Sequence, residues 1–236
     1  MDRDLARRAS AEAAGTALLV AVVVGSGIAA QRLSPGNTGL QLLENAFATG
    51  AGLVALILAF GRVSGAHFNP VVTLADRILG GTSTRDGGVY VLAQVVGACA
   101  GCMIANVMFS LAAINVSDHT RSSGALWLSE LVATFGLLIV IFGAVRAGRA
   151  AVVPFAVGAY ITAAYWFTSS TSFANPAVTI GRTLSNTFAG IAPSSVPMFL
   201  VMQIVGGLLA VFAARFWYPD LDADDIVVPH EGTEVA

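Results

Sequence analysis

Six stretches of this chain stay apolar and almost uncharged for long enough to cross a bilayer: Ala11 to Ala30, Leu40 to Gly61, Val89 to Ala112, Ala125 to Val145, Ala151 to Ser170 and Val196 to Tyr218. Each approaches the roughly 20 residues that span about 30 Å of hydrocarbon as a helix. Backbone groups facing lipid must find their partners within the segment, and these runs are far longer than barrel strands, so they are predicted to be helices. The first run follows Arg3, Arg7 and Arg8 and ends in small residues, so it resembles a cleaved leader. Glu12 near its start, together with its length, favours a retained span.

The polar interruptions repeat. Asn69-Pro70-Val71-Val72-Thr73-Leu74 returns as Asn175-Pro176-Ala177-Val178-Thr179-Ile180, Glu12 with Thr16 returns as Glu130 with Thr134, and Gln94 with Gly97 returns as Gln203 with Gly206. The chain therefore divides into halves of about 1–115 and 116–218, each with three spans and one short Asn-Pro segment. Three spans is an odd number, so the second half lies upside down relative to the first. Each Asn-Pro pair opens about a dozen helix-compatible residues, too few to span, which predicts a re-entrant half-helix. Asn caps a helix by accepting an orphan backbone amide, and Pro suits the first turn. The predicted fold is an all-α membrane protein, a single domain over 1–236 with six transmembrane helices and two half-helices in an inverted repeat.

Composition agrees with this plan. Of 236 residues, 56% are hydrophobic and only 11% charged, and the mean hydropathy is +0.77, more apolar than a soluble domain of this size requires. All basic residues are arginines. With both termini in the cytoplasm, Arg3, Arg7, Arg8, Arg62, Arg77, Arg85, Arg146, Arg149 and Arg215 fall inside, while Arg32, Arg121 and Arg182 fall outside. The net charge of −2 comes without a basic patch, which argues against nucleic acid as a partner. Residues 219–236, with Asp220, Asp222, Asp224, Asp225, Glu231 and Glu234, read as a solvated, disordered, acidic cytoplasmic tail.

Two half-helices entering from opposite faces would point their N-termini, each carrying about half a positive charge, at one spot near the midplane. Cations meet a barrier there, while a neutral acceptor meets the Asn69 and Asn175 side chains, whose amide groups the cap leaves free to donate. One Asn-Pro reads as an ordinary turn; two in matched positions of an inverted repeat do not.

Ser64-Gly65-Ala66-His67-Phe68-Asn69-Pro70-Val71 and Phe173-Ala174-Asn175-Pro176-Ala177 resemble the paired signature loops of the aquaporin and glycerol-facilitator family, and the likeness extends over almost the whole chain. The resemblance implies a homotetramer with one pore per subunit. It implies that Glu12 and Glu130 buttress the half-helix loops; the rival reading of an intramembrane carboxylate is a proton relay. It places His67 at the cytoplasmic mouth of the pore; His119 and His230 are expected to face solvent.

The chain departs from the family pattern in three ways. Val71 stands where Ala is usual. Val178 stands where the outer selectivity filter normally has its arginine. The remaining filter positions, counted from the motif asparagines, are Thr49, Ala163 and Ser172, where bulkier residues are common. A shift of one gap near Ala163 would bring Tyr165, Trp166 or Phe167 inward. Arg182, one turn beyond Val178 and about 40° around the helix, overhangs the outer vestibule or anchors a loop.

The resulting wide filter resembles that of a bacterial subgroup associated with arsenic resistance. The expectation is a passive channel for water, glycerol-like polyols, trivalent metalloid hydroxides and methylated arsenicals, multi-pass in the plasma membrane of a bacterium. Cys99 and Cys102 read as close helix packing beside Gly97 and Gly101 rather than as a thiol site. No nucleophile elbow, metal-spaced cluster or phosphate loop points to an enzyme, a cofactor or a metal. The alternative is an ion-coupled secondary transporter, which shares inverted repeats and broken helices but needs a coupling site.

Overall fold

The computed structural model describes residues 3–218; the acidic tail and His230 lie outside them. The helices are α1 (Arg3–Leu33), α2 (Thr38–Ser64), α3 (Pro70–Leu79), α4 (Thr84–Met108), α5 (Gly124–Arg146), α6 (Val153–Phe167), α7 (Pro176–Gly181) and α8 (Val196–Trp217). Six segments are long and apolar enough to cross a membrane: α1, α2, α4, α5, α8, and Ala150–Phe167, which joins a 3-10 turn to α6. Among the described residues β pairing is limited to one isolated bridge, Asn115 with Ser185.

Polar caps extend several helices past the apolar runs that predict them. α4 starts at Thr84 rather than near Val89 because Ser83 accepts from the Asp86 amide at 3.0 Å. α2 is capped by Asn37 and closes on Gly65 at φ +83°, a left-handed turn suited to glycine. α6 stops at Phe167, short of the predicted Ser170, where the chain turns into the second Asn-Pro segment.

The halves pack alike. α1 lies against α4 and α2, α5 lies against α8 and α6, and α2 meets α6 across the two halves. Small residues set these approaches, as is usual between membrane helices. A side chain at Gly97 or Gly101 would strike the Ala13 or Ala17 carbonyl of α1, and one at Gly206 would strike the Leu131 carbonyl of α5. Between α2 and α6, a Cβ on Gly50 would sit 2.9 Å from the Gly158 carbonyl, and one on Gly158 would sit 2.7 Å from that of Gly50. Cys102 is buried in the α4 core and Cys99 is half-buried; both are free thiols.

Candidate functional site: a cavity between two half-helices

Asn69 and Asn175 begin α3 and α7. The Asn69 side-chain oxygen accepts from Val71 N at 3.0 Å, and that of Asn175 accepts from Ala177 N at 3.0 Å and Val178 N at 3.2 Å. Each amide group also reaches across the interface between halves. Asn69 Nδ2 donates to the Ala174 carbonyl and Asn175 Nδ2 to the Phe68 carbonyl, both at 2.7 Å. The expectation of a wholly free amide group is therefore corrected: each NH2 spends one hydrogen on locking the segments together and keeps the other.

The segments before the asparagines carry several left-handed non-glycine residues: φ is +49° at Ala66, +47° at Phe68, +62° at Thr171, +50° at Ser172 and +48° at Ala174. Such conformations cost on the order of 1–3 kcal/mol each and persist only where the surroundings over-determine them. Buried carboxylates provide that restraint. Glu12 accepts from His67 N at 3.0 Å, Phe68 N at 2.7 Å, Ser64 Oγ at 2.6 Å and Gln94 Nε2 at 2.8 Å. Glu130 accepts from Phe173 N and Ala174 N, both at 2.9 Å, and from Gln203 Nε2 at 2.6 Å. The glutamines complete the pattern: Gln94 also donates to Thr73 and Gln203 to Thr179, each at 2.9 Å.

A cavity of about 80 Å³ runs past both asparagines. Hydrocarbon from α1, α2, α5 and α6 forms most of its wall, including Leu19, Leu53, Ile141 and Val157. His67 lines one part and Arg182 another. Of the positions predicted for the filter, Thr49, Ser172 and Val178 line the cavity, and Ala163 does not. Ala163 is exposed on the outside of α6, and Tyr165 takes the inward place, its hydroxyl 3.1 Å from Thr49 Oγ1. Two residues turn a helix by about 200°, so the count from Asn175 lands on the wrong face. Val71, which stands where the family usually has Ala, packs its methyls at Gly207 of α8 and does not line the cavity, whereas Val72 does.

α7 is shorter than the predicted dozen residues. It ends at Gly181, which packs against Ala98, and continues as the 3-10 turn Arg182–Leu184. That turn carries Arg182 back to the cavity, where the side chain is 2% exposed. Its Nε donates to the Ala189 carbonyl and its guanidinium lies 3.4 Å from the Phe173 ring centroid. The carbonyl contact that anchors the 182–189 loop and the place in the cavity wall thus fall on one side chain. Arg121 approaches the same ring at 5.2 Å and donates to Gly190 O and Phe188 O. Burial draws its guanidinium below the ordinary arginine range.

Asp76, which the sequence reading passed over, is 2% exposed on α3, with Oδ2 4.0 Å from His67 Nε2. His67 Nδ1 lies 3.0 Å from Thr73 Oγ1. Asp76 stands at the same distance beyond Asn69 as Arg182 beyond Asn175, so the repeat itself could have flagged it. His119 is exposed, as expected.

Known proteins agree with this architecture. A family model described as major intrinsic protein matches residues 2–172. Aquaglyceroporin AqpS of Rhizobium meliloti is 50% identical over 213 residues, covering 90% of this chain and 91% of that protein. The probable aquaporin AqpM of Archaeoglobus fulgidus is 30% identical over 245 residues, covering 92% and 98%. The solved aquaglyceroporin from Plasmodium falciparum superposes with a TM-score of 0.71 at 21% identity, over 91% of this chain and 98% of that one, and so shares the fold. Nothing among these relatives favours the coupled-transporter alternative. The family consists of passive membrane channels, not enzymes. With its six apolar helices, its doubled Asn-Pro half-helices and these matches, the chain belongs to the major intrinsic protein family.

Proposed function

We propose that the chain conducts small neutral solutes down their gradients, admitting water and glycerol-like polyols, and also trivalent metalloid hydroxides and methylated arsenicals. The observation that carries this reading is the composition of the cavity wall beside Asn175. Val178 occupies the place where a motif arginine would stand, and besides Arg182 the polar side chains that share this wall are the hydroxyls of Thr49, Tyr165 and Ser172. Hydroxyls both donate and accept, which suits an uncharged polyol or As(OH)3 more than an ion. The likeness to an aquaglyceroporin supports the polyol part.

In this reading Asn69-Pro70-Val71 and Asn175-Pro176-Ala177 are the pore motifs. Thr49, Ser172 and Val178 form the filter, with Tyr165 replacing Ala163. His67 and Arg182 stand at the cytoplasmic and outer vestibules. Glu12 and Glu130 act as buttresses, since every oxygen of both accepts at least one hydrogen bond. The protein works as a homotetramer in the plasma membrane with both termini cytoplasmic, the halves 1–115 and 116–218 forming one channel domain. Uptake of As(III) at neutral pH into proteoliposomes tests the metalloid part. Accumulation well above that of empty vesicles is expected, and equal accumulation would refute it.

A further inference from the structure

The cavity wall at Arg182 carries chemistry that a conduit for neutral solutes does not require. Among the described residues no carboxylate lies within 4.0 Å of Arg182. The acid of this half, Glu130, is committed to two backbone amides and Gln203. Arg121, the second guanidinium on the Phe173 ring, is held by carbonyls alone. A buried guanidinium without a counter-charge is costly. The guanidinium has five N–H donors in a planar fork that fits two oxygens of one anion. Of these, only Nε has a hydrogen-bond acceptor among the described residues.

Ser172 gives a second, independent signal. It is 3% exposed, lines the same cavity, and its Oγ has no hydrogen-bond partner. A buried hydroxyl left in this state marks a place where a bound group would supply the missing bond.

We propose that Arg182 and Ser172 form a binding station for a small monovalent oxyanion of the carboxylate type, the guanidinium taking both oxygens and the hydroxyl adding a third bond. The station deepens the channel reading and rests on it. The rest of the cavity wall is largely hydrocarbon, including Leu137, Ile141 and Ile161. A docked anion would shed its remaining water there without replacement, so it stays beside Arg182. While it stays, it occupies the path of neutral solutes, and carboxylate slows their flux.

Titration of 13C-formate into the purified channel, followed by broadening of the formate 13C resonance, tests this directly. Saturable broadening is expected, with affinity falling about ten- to a hundredfold in Arg182→Gln, the worth of one charge-assisted hydrogen bond. Arg182→Lys, which keeps the charge but not the fork, falls between. Because Arg182 also anchors Ala189, Ser172→Ala serves as the variant that leaves that anchor intact, and it too should bind more weakly. Absence of broadening with the wild type, equal affinity in Arg182→Gln, or unchanged affinity in Ser172→Ala would each overturn the station. Glycerol flux of the same preparations in formate-free buffer separates the two readings: formate binding without flux defeats the channel reading alone, and flux without formate binding defeats the station alone.

Discussion

Replacing Glu130 tests whether the buried acids hold the half-helix segments or relay protons. Glu130→Ala removes the acceptor for three buried donors: Phe173 N, Ala174 N and Gln203 Nε2. An orphaned buried donor costs about 1–3 kcal/mol, so even the low end gives about 3 kcal/mol. In a chain of this length that corresponds to a fall in Tm of roughly 6–12 °C. Glu130→Gln keeps one oxygen, which can serve Ala174 N and Gln203 together at the Oε2 position, and orphans only Phe173 N. Its cost is about 1 kcal/mol at the same low end, or roughly 2–4 °C. The left-handed backbone at Ser172 and Ala174 should relax in the same order. Thermal unfolding of the purified protein, followed by intrinsic tryptophan fluorescence, gives the ranking: wild type above Gln above Ala. A Glu130→Ala protein as stable as wild type would refute the buttress, and a proton relay would then be the better account of the acid.

Two further substitutions address the cavity. Asn175→Asp preserves the caps on Ala177 and Val178 but sets a carboxylate oxygen against the Phe68 carbonyl, where the amide now donates at 2.7 Å; water and glycerol flux in proteoliposomes should both fall to background while the protein still purifies as a folded species. Tyr165→Ala should speed four- and five-carbon polyols relative to water, whereas Ala163→Trp should leave their ratio unchanged, because Ala163 is exposed on the outer side of α6; the reverse pattern would restore Ala163 to the filter.

What was legible in the sequence was local or repeated. The doubled Asn-Pro pair announces a capped helix start by its own chemistry, and the matched Glu and Gln positions reveal the two-fold plan without any knowledge of packing. The six spans follow from hydropathy, and only their capped ends were misjudged, since a cap such as Ser83 is polar and invisible to an apolar count. The inward face of α6 was not legible for a geometric reason. Counting back from Asn175 crosses residues 168–172, where Thr171 and Ser172 are left-handed, so the helical phase is lost and Ala163 is chosen over Tyr165. Asp76 was missed because a single acid in a ten-residue helix looks like a solvated surface charge. Its burial beside His67 depends on the tertiary approach of α3 to its own preceding loop. The inward return of Arg182 depends on α7 tightening into a 3-10 turn after Gly181, which local propensity did not announce.

Stopped-flow light scattering on proteoliposomes, with water and glycerol permeabilities taken from one preparation, tests the central claim most directly. The account predicts that both exceed protein-free vesicles by a wide margin, because Val178 leaves the wall beside Asn175 without a motif guanidinium and the Thr49–Tyr165 pair offers hydroxyls to a polyol. Fast water with glycerol excluded would contradict it, and would mean that Tyr165 and Arg182 together close the mouth to anything larger than water.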